Sequence, residues 1–322
     1  MKKEGMPMAD FHQDTLNPKL SEILDNPKFD YSKERIQQLP KEGLQKLDIV
    51  FSSVYKRMSE EEKAAALSGN EEVLSKLRTD EQKILDYYHA SEDFKIITRP
   101  EDLQGEQPAD QNSIVLHKEG GDIISDPDII DDLYNRGVRS VGLMYNHDNQ
   151  LGGGASGDKK RGLTVLGKRV VDKMMQSNMI IDISHANRKT ADDILERVGD
   201  YEKTVATHTA PGEGQRFITK ELIRKIAGKG GVVGFTPNKA FFPDFEKFMN
   251  NFKEVSDATG SVKNIAVGTD FGGVDAEQLF HQLDEIGKLS RIAEKLSEEG
   301  KFSDEEINDI MYGNIARIVN KL

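Results

Sequence analysis

The chain has 322 residues, of which 36% are hydrophobic and 31% charged, and its formal net charge is −12. This length suits one large domain or two ordinary ones, and the acidic balance argues against nucleic acid or an anionic membrane surface as the main partner. The sequence contains no cysteine, which excludes disulfides and thiolate metal sites. Any bound metal must therefore use histidine and carboxylate ligands.

Signals for export or membrane insertion are absent from the sequence. Residues 1–14 include two lysines but no apolar segment that would make a signal peptide. No run of about 18 apolar residues occurs anywhere in the chain. We therefore expect a cytoplasmic protein without a membrane span.

Short strand-like runs and helical patterns follow one another along the chain. The first run, Met8 to Asp14, precedes a polar region from Leu16 to Gly43 with little periodicity. Residues 59–92 are rich in Glu, Lys, Ala and Leu, which is typical of exposed helices, and Phe94 to Thr98 is an extended run of ambiguous type. From residue 113 onward strands and helices alternate regularly.

Eight of the runs fit a closed parallel barrel. Strand–helix alternation with short connections predicts parallel pairing, and eight strands close a (β/α)8 barrel, here an α/β fold with residues 1–322 as one domain. Thr164 is an expected helix cap, and two extra C-terminal helices are expected at roughly 276–296 and 303–321. The predicted strands are residues 8–14, 47–55, 113–119, 138–145, 179–185, 204–208, 231–236 and 264–271.

Histidines and carboxylates stand at the ends of five predicted strands. In a (β/α)8 barrel the functional site lies at the C-terminal ends of the strands. Alternate residues of a strand share a side, so His12 and Asp14 are both expected to face the barrel mouth. Singly, such residues are more often core histidines or turn aspartates, and only their coincidence predicts a site. The set is His12, Asp14, Glu119, His185, His208 and Asp270.

This set of side chains suits two divalent metal ions. Imidazole and carboxylate both bind zinc, at distances of about 2.0–2.2 Å. Two ions about 3.5–4 Å apart need a bridging carboxylate, and they produce a hydroxide nucleophile by lowering the pKa of bound water to about 7. A further carboxylate beside them can carry a proton to a leaving group. The same ligands also accept manganese, iron or cobalt.

Several motifs together resemble the membrane (renal) dipeptidases, a family of zinc peptidases. The similarity covers most of the chain and is densest in GLTVLGKRVVDKMMQSNMIIDISHAN, from Gly162 to Asn187. Shorter matches are DFHQD, KEGGD, THTA, GTDFGGV and YGNIARIV. The resemblance implies an amidohydrolase-like barrel with two zinc ions that hydrolyses the amide bond of dipeptides by metal-bound hydroxide. It also suggests a homodimer, since members of that family often pair.

The resemblance assigns the metal ligands residue by residue. His12 and Asp14, the HxD pair, would bind one metal. Glu119, from the EGG motif, would bridge both ions. His185 and His208 would complete the second metal.

The resemblance also implies roles in catalysis and substrate binding. Asp270 would be the catalytic carboxylate that carries a proton, and Arg216 would hold the free carboxylate of the substrate, for which a guanidinium fork is well shaped. Where the family has a substrate-polarising histidine, this chain has Tyr145, which could donate a hydrogen bond to a developing oxyanion. His147, two residues on, is a further substrate-binding candidate. The loop between His208 and Arg216 is shorter than in the family, and DFGG replaces DFDG.

Three neighbouring features carry weaker signals. Gly152 to Gly157, GGGASG, formally matches GxGxxG, but it neither follows a strand nor directly opens a helix, so we expect a mobile loop over the barrel mouth. Lys118 and Glu119 are adjacent on a strand and face opposite sides, so Lys118 is expected to pack outward. His117 is expected to be a core histidine or to support the site from behind.

These inferences favour a metal-dependent hydrolase whose partner is a small dipeptide. Tyr145 and the shortened loop leave open a hydrolase of the same chemistry that acts on another amide or lactam, such as an N-acyl amino acid or a β-lactam. A non-catalytic metal-binding barrel is a third reading. The complete ligand set argues against it, because ligands are usually what an inactive enzyme loses.

Overall fold

The structure is a computed structural model that describes residues 6–16, 39, 41–104 and 111–322. Within these ranges nine strands form one sheet, and every pair of neighbours is parallel. The polar region predicted from Leu16 to Gly43 lies mostly outside the described residues. The strands are β1 (Ala9–Gln13), β2 (Ile49–Val54), β3 (Phe94–Ile96), β4 (Asn112–Lys118), β5 (Val138–Gly142), β6 (Ile180–Asp182), β7 (Thr204–Thr209), β8 (Val233–Phe235) and β9 (Ile265–Val267).

Eight of these strands form the predicted barrel, in the order β1-β2-β4-β5-β6-β7-β8-β9. The ring closes between β9 and β1, where Gln13 pairs with Phe271 and the amide of Asp270 donates to the carbonyl of His12 at 3.0 Å. β3, the run of ambiguous type, is an additional strand along the N-terminal half of β4. Because the barrel strands are parallel, their C-terminal ends share one mouth.

Helices pack around the barrel between the strands. Most of them begin at a residue whose side chain caps the first turn. The Thr164 hydroxyl accepts a hydrogen bond from the amide of Gly167, as predicted. Asn187 and Thr219 cap the two helices that follow in the chain in the same way. Among the residues described, no helix combines the length and apolar composition needed to cross a bilayer. The α-helices are α1 (Lys41–Leu44), α2 (Glu60–Leu67), α3 (Glu71–Ala90), α4 (Ile129–Asn135), α5 (Val165–Gln176), α6 (Arg188–Arg197), α7 (Lys220–Gly228), α8 (Phe245–Thr259), α9 (Ser290–Glu298), α10 (Asp304–Asn308) and α11 (Asn314–Val319).

The N-terminal end of the barrel is closed by α11. Its Ile315 and Val319 belong to a fully buried apolar cluster with Phe11 and Phe51 of the strands. Arg317 of the same helix donates to the carbonyl groups just before β8 and β9. The N-terminal end of the barrel is therefore filled by apolar side chains, and the polar strand ends lie at the opposite, C-terminal end.

The C-terminal region differs from the sequence prediction in one segment. Residues 276–289, expected to begin a long helix, instead form three short 3₁₀ turns, and only α9 from Ser290 is α-helical. Leu279 and Phe280 have extended backbone, because residues after β8 pair with this segment: Lys239 donates to the Gln278 carbonyl at 2.8 Å. The second expected helix is present as α10, a π-helical turn and α11.

Candidate metal centre

The predicted ligands reach the mouth from strand ends and from the turns that follow them. His12 lies in β1, Glu119 follows β4 directly, and His208 lies in β7. The prediction that His185 ends a strand is wrong, because β6 stops at Asp182 and His185 is the third residue of a tight turn.

Two site residues occupy the same unusual backbone conformation. His185 has φ 62° and Asp270, three residues after β9, has φ 60°. Left-handed backbone at a non-glycine residue costs about 1–3 kcal/mol and persists only where the surroundings enforce it. Here it turns a side chain toward the mouth immediately after the strand ends.

One group of ligand atoms converges on Glu119. The Nε2 atoms of His185 and His208 lie 3.0 and 3.4 Å from Oε1 of Glu119, and 2.7 Å from each other. Nδ1 of His185 faces the side-chain oxygen of Asn146 at 2.9 Å, and Nδ1 of His208 faces the Thr207 hydroxyl at 2.9 Å. The amide oxygen of Asn146 can only accept, so the His185 ring carries its proton on Nδ1 and presents the Nε2 lone pair, as metal-binding histidines do.

A second group surrounds His12. One ligand atom each from His12, Asp14 and Asp270 lies within 4.8 Å of the other two, and the His12 ring stacks on His208 at 3.7 Å. Both ring nitrogens of His12 and Oδ1 of Asp14 are buried without a hydrogen-bond partner among the described residues. Orphaned buried polar atoms cost about 1–3 kcal/mol each, and a bound ion is one of the ways a protein satisfies them.

The electrostatics of the site favour bound cations. Burial lowers the pKa of His12 well below its ordinary value and that of His185 to about 3, so both rings are neutral at physiological pH. Burial, with the nearby charges of Glu119 and Asp270, raises the pKa of Asp14 well above its usual range. Neutral imidazoles beside the buried carboxylates of Asp14 and Glu119 and the partly buried carboxylate of Asp270 form a donor set that fits divalent metal ions.

Glu119, the candidate bridging ligand, accepts hydrogen bonds from two neighbouring side chains. Ser53 donates to its Oε2 at 3.5 Å, and Nζ of Lys118 donates to its backbone carbonyl at 2.7 Å. Lys118 packs away from the mouth, as predicted, and forms an ion pair with Glu81 of α3 at 3.0 Å. His117, fully buried, bonds Ser140 at 2.8 Å and meets the His12 ring edge-on, as expected of a supporting core histidine.

The predicted substrate residues lie beside the ligands. Arg216 donates to the His208 carbonyl at 3.1 Å, and another of its nitrogens lies 3.2 Å from Nε2 of His185. The Tyr145 ring is stacked between His185 at 4.7 Å and Tyr55 at 4.5 Å. Arg216 and Tyr145 therefore both lie against His185, one of the predicted metal ligands.

His147 and the glycine-rich segment lie next to this group. Nε2 of His147 pairs with Asp122 at 2.7 Å, and its ring centre lies 6.1 Å from that of Tyr145. The segment from Gly152 to Gly157 contacts the His185 turn, where the amide of Ala155 donates to the His185 carbonyl at 2.8 Å. The expectation of a mobile loop is wrong, because most of this segment is buried and hydrogen-bonded.

Two buried aspartates that the sequence analysis left without a role hold the strand ends. Asp182 accepts from the amide and hydroxyl of Thr207 at 2.9 and 2.7 Å. Asp10 accepts from the amide and hydroxyl of Thr269 at 2.8 and 2.6 Å. The available signal was a charged residue inside an apolar strand, which is rarely buried unless it is paired.

The family model described as Membrane dipeptidase (Peptidase family M19) matches residues 3–322. A protein of Acinetobacter calcoaceticus described only by its position near a PQQ gene is 33% identical over 164 residues, 47% of this chain and 50% of its own length. An uncharacterized dipeptidase of Schizosaccharomyces pombe is 27% identical over 61% of this chain and 49% of its own length. The matches thus span about half the length of these relatives.

Two solved structures share the fold at low sequence identity. A metallo peptidase from Rhodobacter sphaeroides, solved with a phosphinate mimic of the dipeptide L-Ala-D-Ala, superposes with a TM-score of 0.80 at 17% identity, over 99% of both chains. A probable dipeptidase from Pseudomonas aeruginosa gives a TM-score of 0.81 at 14% identity, over 99% of this chain and 96% of that one. With a family model that matches nearly every residue, the chain belongs to the membrane dipeptidase family, peptidase family M19.

Proposed function

We propose that this protein is a dipeptidase that uses two divalent metal ions, with zinc as the leading candidate. The observation that carries the proposal is the convergence of neutral imidazoles and buried carboxylates at one barrel mouth, directly beside Arg216. Family membership supports it, as do two relatives: one is named an uncharacterized dipeptidase, and one was solved with a dipeptide mimic.

Five residues would hold the ions. His12 and Asp14 would bind one ion, His185 and His208 the other, and Glu119 both. Bound metal ions lower the pKa of water and polarise a carbonyl oxygen, which is the chemistry that amide hydrolysis requires.

Asp270 is the proposed proton carrier. It lies in the His12 group, 3.9 Å from Nε2 of His12, and burial raises its pKa to about 6. A carboxyl group with a pKa near neutrality both accepts and returns a proton readily, as the attacking water and the departing amine require in turn.

Arg216 and Tyr145 are the proposed substrate contacts. The Arg216 guanidinium keeps donors free for the carboxylate of a dipeptide, with which it can form paired hydrogen bonds. Burial raises the pKa of Tyr145 above its ordinary value, so its hydroxyl stays protonated and can donate to the scissile carbonyl oxygen as negative charge develops there. Together they would place the amide bond over the metal ligands.

Metal analysis combined with a substrate panel tests the proposal. The purified chain is expected to contain two equivalents of metal and to hydrolyse L,L- or L,D-dipeptides, and chelation should abolish the activity. Turnover only of N-acyl amino acids or lactams would instead support the alternative amidohydrolase, since Tyr145 stands in the substrate-polarising position. Two bound ions without hydrolysis of any amide would contradict both and favour a non-catalytic barrel.

A further inference from the structure

We propose that Asp182 is a positioning residue that fixes the metal-binding face of His208 through the hydroxyl group of Thr207. The inference rests on the proposed function in one respect, because it takes His208 to be a metal ligand. It concerns two residues that belong neither to the proposed metal ligands nor to the proposed substrate contacts.

Asp182 is buried, with 1% of its surface exposed, at the C-terminal end of β6. Its Oδ1 accepts from the amide of Thr207 at 2.9 Å and from the amide and hydroxyl of Ser184 at 2.9 and 2.8 Å. Its Oδ2 accepts from the Thr207 hydroxyl at 2.7 Å. Although burial opposes ionisation, the four hydrogen bonds donated to Asp182 favour its charged form, and its pKa lies below the ordinary value.

The direction of the hydrogen bonds follows from the chemistry of the groups. An ionised carboxylate only accepts, so the single hydroxyl proton of Thr207 points to Asp182. The hydroxyl oxygen can then only accept from Nδ1 of His208, which lies 2.9 Å away. Nδ1 of His208 therefore carries a proton, which leaves Nε2 as the ring nitrogen whose lone pair can face Glu119 and His185.

The opposite tautomer of His208 would block metal binding. A proton on Nε2 of His208 would point at Nε2 of His185, 2.7 Å away, and would occupy the position that a metal needs. Nδ1 of His185 faces a different group, the side-chain oxygen of Asn146, so the tautomer of His185 is not set through Thr207. The relay from Asp182 thus acts on one of the two histidines.

A second aspartate–threonine pair shows which part of this arrangement is specific. Asp10 binds the amide and hydroxyl of Thr269 and links β1 to the segment after β9 in the same way. The residue after Thr269 is Asp270, which has no ring nitrogen for the hydroxyl to orient. Joining strand ends is therefore common to both pairs, whereas control of a tautomer belongs to Asp182 and Thr207.

Variants of Thr207 separate the relay from general structural effects. Thr207→Val keeps the shape of the side chain and removes the hydroxyl, and Thr207→Ser restores the hydroxyl. Thr204→Val is a matched control: Thr204 is fully buried on the same strand, and its hydroxyl bonds the Tyr201 carbonyl at 3.2 Å. Asp182→Asn tests the carboxylate itself, and Thr207→Val keeps the proposal testable if that variant does not fold.

Two measurements decide the outcome. Nitrogen-15 NMR of labelled histidine reports the tautomer of His208 in metal-free protein, and competition with a chromogenic chelator reports zinc affinity. We expect wild type, Thr207→Ser and Thr204→Val to hold the Nδ1 proton. Thr207→Val and Asp182→Asn should populate the Nε2 form and bind zinc about 10- to 100-fold more weakly.

The two proposals fail in different ways. An unchanged tautomer in Thr207→Val, or an equal loss of affinity in Thr204→Val, would overturn the relay. A wild-type chain that takes up no metal would refute the proposed function, while the tautomer in the metal-free chain would still decide the relay.

Discussion

Replacing Arg216 by methionine tests how the site holds its substrate. The guanidinium has five N–H donors. One donates to the His208 carbonyl and one is directed at Nε2 of His185, and the other three have no hydrogen-bond acceptor among the described residues. Methionine keeps much of the length and the apolar contact of the arginine but removes the charge and every donor.

The expected loss follows from the hydrogen bonds that disappear. A hydrogen bond to a charged group contributes about 1.5–3 kcal/mol. A carboxylate held by one or two such bonds would lose about 1.5–6 kcal/mol, and each 1.4 kcal/mol corresponds to about tenfold in affinity. We therefore expect kcat/KM for a free dipeptide to fall by about 10- to 20,000-fold in Arg216→Met.

A change in the substrate supplies the control. The C-terminal amide of the same dipeptide lacks the carboxylate, so wild type and Arg216→Met should hydrolyse it with similar kcat/KM. Arg216→Lys, which keeps the charge without the fork, should give an intermediate loss on the free dipeptide. Equal losses on the dipeptide and on its amide would refute the reasoning and assign Arg216 a structural role at His185.

Four further substitutions have distinct expected outcomes. Asp270→Asn should keep both metal ions by elemental analysis yet lose about 10²- to 10⁴-fold in kcat, and Tyr145→Phe about 10²- to 10³-fold. Gly273→Ala should lower metal content, because its Cβ would lie 2.6 Å from Oδ1 of Asp270 and closer still to Asp14. Burial raises the pKa of Glu81 from 4.5 to about 7, so the folded state binds the extra proton. The unfolding free energy should therefore fall as pH rises from 4.5 to 7, and denaturant titrations of Glu81→Gln should lack this component.

Strand ends made most of the site predictable from the sequence. His12, Glu119 and His208 needed only the rule that parallel barrels gather their C-terminal ends, together with correct identification of the strands. His185 lies beside Glu119 and His208 for a different reason than the pattern indicated, since its side chain is directed by a left-handed turn after the strand. The length of an apolar run in the sequence does not show at which residue the hydrogen-bonded strand ends.

Other features depend on contacts that no local pattern contains. The composition of residues 276–289 favours a helix, but pairing of Gln278 with Lys239 holds the neighbouring backbone extended. The roles of Asp182 and Thr207 likewise arise from two separate strands. A charged residue in an apolar strand marks Asp182, but neither segment contains anything that links it through Thr207 to His208.

The seam between β9 and β1 makes barrel closure and site assembly the same event. Asp10 and Thr269, 259 positions apart, join there, and each lies within two residues of a residue of the His12 group. Contacts this distant in sequence form late in folding, because the loop entropy must be overcome first. A metal ion shared by His12 and Asp14 would bind only the closed ring and would stabilise it according to the free metal concentration. Cellular metal supply would then influence how much of the newly made protein reaches its closed form.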